Sequence, residues 1–343
     1  MKLISAPMAT LSHEAFRRLI EGFGGCDEYF TEMINAGSLL TMGPFEKFYI
    51  ISECAPEKTV WQLTGNKTEA MIKASAVLAR LSGVGIDLNM GCSAPQIANT
   101  GAGIAWMEKP LEETANLVRG IRAQIDKTAD EEGLAHKRLS VKMRLGGEDW
   151  SEKSLLDFSK MLESEGVELI TLHPRSKKEK YRAKPRYEMA EFLCQNLSIP
   201  IYLNGDIADA ESAKYALSKA PSVQGLMIAR AAAQKPWIFA EVQAALEAEK
   251  QNEATSKVHC AKTKIDLYET AMKFIDDVEK YQPKEFHKTR LQRFFSYYCH
   301  NFAFWHYAQT KLLNAPDTEA VKAELADYFQ KQPSDRYIEV AIL

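Results

Sequence analysis

A cysteine between glycines is the sharpest chemical signal in the chain. The run Asn89-Met90-Gly91-Cys92-Ser93 is followed by Gly101-Ala102-Gly103. A lone cysteine is most often a small buried hydrophobe. This one follows a short apolar run, in a loop, where a thiol can serve as acid or nucleophile. Lys142 lies within the apolar run Ser140–Arg144. An ammonium there either reaches back to water or stabilises an anion. His173 directly follows Ile170-Thr171-Leu172, and Gln62 ends another short run. Pro7 and Met8, Asn89, Arg175, Asn204-Gly205-Asp206 and Ala229-Arg230 occupy the same kind of position after other runs.

These residues need elements to bring them together. Eight short, mostly apolar runs read as strands: Leu3–Ala6, Glu28–Thr31, Thr59–Leu63, Gly85–Asn89, Leu139–Met143, Glu168–Leu172, Ile199–Leu203 and Gly225–Ile228. Their lack of polar alternation fits parallel strands covered on both sides. Amphipathic runs fall between them: Ser12–Phe23, Thr68–Arg80, Leu111–Asp126, Ser154–Glu165, Glu188–Cys194 and Ala208–Ser218. Thr10, Ser12 and Asp209 are candidate N-caps. Eight strands alternating with helices predict an α/β fold, a TIM (β/α)8 barrel, over a doubly wound open sheet. Catalytic groups in a barrel gather at the C-terminal strand ends, where the residues above fall. Glycines near the last two strands suit a phosphate site.

The pattern changes after Glu241. Helical segments are predicted near Lys264–Glu279, Glu285–Phe302, Trp305–Leu313 and Thr318–Phe329, with no further strands. Glu247–Lys257 is polar and reads as a linker. The expected division is a barrel over 1–246 and a small all-α helical bundle over 247–343.

Composition narrows the function. The net charge is -3, so a polyanionic partner must meet a local patch rather than the whole surface. No window approaches the ~18 apolar residues of a membrane helix, and the N-terminus lacks the apolar run of a signal peptide. The cysteines are scattered without a CxxC pair, which argues against a zinc site or a secreted disulfide scaffold and for the cytoplasm. Two basic patches stand out. Arg175–Arg186 carries Arg175, Lys177, Lys178, Lys180, Arg182, Lys184 and Arg186 around Tyr181, against one acid, Glu179. Lys284–Lys311 combines Lys284, Lys288, Arg290, Arg293 and Lys311 with Phe294, Phe295, Tyr297, Tyr298, Phe302, Trp305 and Tyr307. Such aromatics serve equally as a helical core. Basic patches on a mildly acidic chain fit a phosphate backbone bound along one face.

The ordered motifs resemble the tRNA-dihydrouridine synthases. They are Ala6-Pro7-Met8 with Phe16-Arg17, Gln62-Leu63-Thr64-Gly65, Asn89-Met90-Gly91-Cys92 with Gly101 and Gly103, and Val141-Lys142-Met143-Arg144. His173-Pro174-Arg175-Ser176 with Tyr181, Asn204-Gly205-Asp206-Ile207, and Met227-Ile228-Ala229-Arg230 with Pro236-Trp237 complete the set. The resemblance implies an FMN-binding barrel with a helical tRNA-binding domain, reducing the C5–C6 bond of tRNA uridines with NADPH or NADH as reductant. It assigns Cys92 as the acid at uracil C5. Pro7, Met8, Gln62, Lys142, His173, Asn204, Gly205, Asp206, Ala229 and Arg230 would hold FMN. Asn89, Arg175, Lys177, Lys178, Tyr181, Arg182, Lys288, Arg290 and Arg293 would meet the tRNA, and a monomer without metal is expected. Two departures stand out: Ser93 follows the cysteine where the family has proline, and Ala229-Arg230-Ala231 replaces Gly-Arg-Gly.

Two other functions fit the same residues. One is a flavin barrel reducing a free pyrimidine or an enone, the helical part being a lid or oligomerisation element. The other is a non-catalytic RNA-binding barrel, against which the presence of Cys92, Lys142 and His173 argues.

Overall fold

The computed structural model describes residues 1–253 and 261–342. Eight strands form the barrel: β1 Lys2–Ser5, β2 Glu28–Phe30, β3 Thr59–Thr64, β4 Gly85–Met90, β5 Arg138–Arg144, β6 Leu169–His173, β7 Ile201–Asn204 and β8 Gly225–Ile228. Each runs parallel to the next, and β8 returns beside β1. All eight expected strands are present, and the sheet closes.

Strand residues alternate between two environments, as a period of two requires. Outward residues such as Leu88, Val141, Ile170 and Leu226 join the large core beneath the surrounding helices. Inward apolar residues form a separate cluster of Ile4, Phe30, Val60, Leu169, Tyr202 and Met227. The inward positions of β3, β4 and β5 are instead largely polar. β5 corrects the expectation of little polar alternation, because Arg138, Ser140, Lys142 and Arg144 alternate strictly along it. At the N-terminal end of the barrel, the carboxylate of Glu28 accepts from Arg138 at 2.9 and 2.6 Å, from Lys2 at 2.9 Å and from Tyr202 Oη at 3.1 Å. Buried charge is tolerated when paired in this way.

The expected helices form, with shifted ends. Asp209 caps its helix, accepting from Ser212 N at 2.7 Å. Ser12 does not cap the first helix. Its hydroxyl ties the turn after β1, accepting from Met8 N at 2.9 Å and donating to Ala6 O at 2.7 Å.

Two differences lie further along. The linker expected over Glu247–Lys257 is helical through Glu253, because Ile238–Glu253 is one helix crossing the expected boundary. Residues 254–257 lie outside the described residues. The segment Ala261–Asp266, read partly as helix, is a strand paired antiparallel with Tyr337–Ile342. Its partner lies too far along the chain for a local pattern to show it. The following helix, Leu267–Tyr281, starts where Asp266 accepts from Tyr268 N and Glu269 N at 3.0 and 3.1 Å.

Helices Lys284–Tyr298, Trp305–Asn314 and Thr318–Lys331 complete the C-terminal unit. Its aromatics are mostly core. Phe274 stacks on Phe294 at 3.9 Å between ring centres, and Phe294 on Tyr298 at 4.8 Å. Leu267–Tyr281 packs on the barrel helix Glu14–Glu21. The join is held by a buried ion pair. Arg290, expected to meet tRNA, is 2% exposed and donates to Glu32, just beyond β2, at 2.6 Å. Its charge answers a buried carboxylate and is closed to RNA.

Removing one partner of such a pair strands the other in a dry site. Arg290→Ala is expected to lower stability by about 3–5 kcal/mol in denaturant unfolding. Unchanged stability would show that Glu32 has no need of its partner.

Candidate active site at the barrel mouth

The C-terminal ends of β3, β4 and β5 carry a continuous chain of hydrogen bonds. Asp87 accepts from Ser140 Oγ at 2.8 Å and from Gln62 Nε2 at 2.7 Å. Gln62 Oε1 accepts from Asn89 Nδ2 at 2.9 Å. Asn89 Oδ1 accepts from the backbone N–H groups of Cys92 and Gly91 at 3.0 and 3.3 Å. Asn89 was expected to face the substrate, but both ends of its amide are engaged in holding the Cys92 loop. That loop is pinned again where Ile104 N donates to Cys92 O at 3.1 Å. Gly103 is required there, with φ +61° and space for a Cβ only 2.6 Å from that same carbonyl. The Cys92 thiol is half-buried.

Lys142 is paired in register with Asn89, which places the ammonium beside the cysteine loop. Its Nζ donates to Asn204 Oδ1 at 3.0 Å, while Asn204 Nδ2 donates to Met227 O at 2.8 Å. Asn204 thus orients the lysine. Burial pushes the Lys142 amine down to about 8, with Arg144 adding to the effect and Asp87 and Cys92 opposing it.

His173 ends β6. Burial first, then the charges of Lys142, Arg144, Arg175 and Arg230, hold it far below its ordinary range, so it is neutral. Arg175 Nη1 lies 3.1 Å from His173 Nε2. Guanidinium only donates, so Nε2 accepts and the ring proton sits on Nδ1. Arg175 was expected to face the substrate. It is 1% exposed and is engaged by His173, Asp206 and Ala183 O. Asp206 also takes Arg230 at 3.1 Å. Gly205, at φ +132°, lies against His173, where a Cβ would come within 3.1 Å of the ring. Pro7 is half-buried and Met8 buried at the end of β1.

The loop after β6 divides its basic residues. Lys177 pairs with Glu108 at 2.8 Å, and Arg186 pairs with Glu179. Lys178, Lys180, Tyr181, Arg182 and Lys184 are exposed. The Tyr181 ring lies under Arg230 and Arg144, at 4.7 and 5.4 Å. In the helical unit, Lys284, Lys288 and Arg293 are exposed on one helix.

Sequence reasoning missed Asp87, Ser140 and Arg144 as site residues. Arg144 donates to Gly91 O at 3.1 Å and to Lys180 O at 3.0 Å, joining the cysteine loop to the basic loop. The signal was the period of two. Asp87 precedes Asn89 by two, and Ser140 and Arg144 flank Lys142 by two.

A profile of the family described as Dihydrouridine synthase (Dus) matches residues 4–315. The chain belongs to the dihydrouridine synthase family. Among curated relatives, tRNA-dihydrouridine synthase B of Pseudomonas syringae pv. tomato is 29% identical over 241 residues, 70% of this chain and 67% of that protein. A probable tRNA-dihydrouridine synthase of Rhodobacter capsulatus is 30% identical over 247 residues, 71% of each chain. The family is one of oxidoreductases and flavin-dependent in general.

The donor set suits a flavin. Lys142 has three donors and Asn204 takes one, so the remainder of a half-buried cation faces the mouth. The family departures are mild here. Pro95 starts the short helix Pro95–Ala98, two residues beyond the family's usual proline. Neither Ala229 nor Ala231 has a positive φ, so alanine carries no left-handed strain at either position.

The Lys142 environment is testable. After reductive methylation with carbon-13, its signal in the flavin-free protein is expected to titrate with a midpoint of about 8. Asp87 favours the charged amine, so Asp87→Asn should move that midpoint lower still. A midpoint in the ordinary lysine range near ~10.4 would contradict the burial.

Proposed function

We propose that this protein reduces uridines in tRNA to 5,6-dihydrouridine, with FMN bound at the barrel mouth and re-reduced by NADPH or NADH. The observation that carries the reading is the shared mouth. Cys92 lies two residues beyond β4, and Lys142 lies on the adjacent β5 in register with Asn89, so both groups stand at the same end of the barrel. When bound, reduced FMN would supply hydride to uracil C6.

The chain's own residues supply the rest. Cys92 Sγ gives its proton to uracil C5 and regains one from water. Lys142 would hold positive charge beside the flavin ring and stabilise negative charge developing there. Neutral His173 and buried Gln62 shape the slot, with Pro7 and Met8 along its wall. Gly205, Ala229 and Arg230 would hold the phosphate of FMN, with Asp206 keeping Arg230 in place. Asn89, Asn204 and Arg175 act through their neighbours: Asn89 on the cysteine loop, Asn204 on the lysine, Arg175 on the histidine.

A stacked uracil cannot reach a ring inside the mouth, so the nucleotide must be extracted. Lys178, Lys180, Tyr181, Arg182 and Lys184 on the rim would grip the backbone during that step. Lys284, Lys288 and Arg293 extend the grip along the helical unit, which serves as the tRNA-binding domain. The whole reaction would take place in the cytoplasm.

Two experiments test this. Cys92→Ala should keep the yellow colour of bound flavin while turnover on tRNA falls by roughly 10²–10⁴-fold, the usual worth of a general acid. A colourless variant would make Cys92 a structural residue. Lys178→Glu with Arg182→Glu should weaken tRNA binding and flatten its salt dependence by about two phosphate contacts, leaving flavin content intact. Wild-type affinity and slope would exclude the rim.

A further inference from the structure

The hydrogen-bond chain beneath the mouth has a direction. A carboxylate only accepts, and a backbone N–H only donates. Asp87, fully buried on β4, closes one end by accepting from Gln62 Nε2 and Ser140 Oγ. The N–H groups of Gly91 and Cys92 close the other end by donating to Asn89 Oδ1. Between them stand two side-chain amides, joined by Asn89 Nδ2 donating to Gln62 Oε1 at 2.9 Å. Only one orientation of each amide satisfies both ends. Turning Gln62 over would set its carbonyl against a carboxylate and its NH2 against the NH2 of Asn89. Each buried group left unmatched would then go without a partner.

We propose that Asp87 is a positioning residue for Cys92: its carboxylate sets the polarity of the two amides, and they hold the Cys92 loop at the mouth. The inference rests on the reading of Cys92 as the acid. It gives a role to an acid placed in a dry barrel interior. Burial raises Asp87 to about 6, while Gln62, Ser140, Lys142 and Arg138 all act to keep it charged. At neutral pH the chain therefore ends on an acceptor. Asp87 touches neither the mouth nor the substrate. It acts through Gln62 and Asn89 on a backbone amide on the far side of both.

The test reverses one link of the chain. Gln62→Glu sets a second acceptor-only group against Asp87 unless the pair takes up a proton. Adding Asp87→Asn supplies an NH2 that donates to Glu at 62, whose other oxygen still accepts from Asn89. The probe is iodoacetamide, with Cys92 alkylation followed by peptide mass spectrometry on the full chain from about pH 6 to pH 9. Gln62→Glu is expected to alkylate roughly tenfold faster than wild type at the alkaline end, where repulsion from Asp87 drives the carboxylate at 62 away from Asn89 and the loop loses its anchor, and to converge at the acid end, where a proton shared by the two carboxylates restores the link. The Asp87→Asn/Gln62→Glu protein should return to the wild-type profile. If Gln62→Glu does not fold, recovery of folded protein on adding Asp87→Asn is the supporting result. A double variant no better than the single one in either readout overturns the proposal. So does a folded Gln62→Glu protein with the wild-type profile throughout. Alkylation needs neither flavin nor tRNA, so failure of uridine reduction would leave these outcomes unchanged.

Discussion

An ammonium group inside a closed cylinder of strands obliges its surroundings to be polar. Lys142 points into the barrel of this protein, and the neighbouring inward positions follow from it. Asn204 accepts a hydrogen bond from it, Asp87 lies beneath it on the adjacent strand, and Arg144 sits one step nearer the mouth. Ile4, Phe30, Val60, Leu169, Tyr202 and Met227 form the apolar part of the interior and give the barrel its ordinary core. The interior thus holds two kinds of surface. One stabilises the fold by burial, and the other presents charge and hydrogen-bond donors at the rim.

That division also explains how the cysteine is placed. Cys92 lies beyond the end of β4, on a loop that two strands hold by different means. Asn89 grips its amides from below, and Arg144 grips Gly91 O from the side. Arg144 reaches on to the loop after β6, so the thiol and the basic rim share one anchor. Through this anchor, the proposed grip at the rim and the proposed acid at the mouth fall within one connected network.

Much of this was legible in the sequence, because barrel strands are short, local and nearly continuous in their apolar character. All eight were found, and so were many of the polar residues at their ends. The roles of Asn89, Arg175 and Arg290 were less legible. Each is polar and lies in a promising stretch, but their hydrogen-bond partners are brought in by other strands or by the join with the helical unit. A single sequence shows that an arginine is present and not which carboxylate it meets; Arg290 and Glu32 are 258 positions apart. The hairpin of Ala261–Asp266 with Tyr337–Ile342 escaped for the same reason. Asp87, Ser140 and Arg144 were accessible in principle through their period of two. The expectation of apolar parallel strands concealed them.

The central claim is that one thiol and one ammonium at a shared mouth serve the hydrogenation of a uracil drawn out of tRNA. The most direct measurement incubates the purified protein with FMN, NADPH and tRNA transcribed without modifications, then digests the tRNA to nucleosides for mass spectrometry. The account predicts that uridine at defined positions gains two hydrogens, and that free uridine under the same conditions does not. Unchanged tRNA, or equal reduction of the free nucleoside, would contradict it.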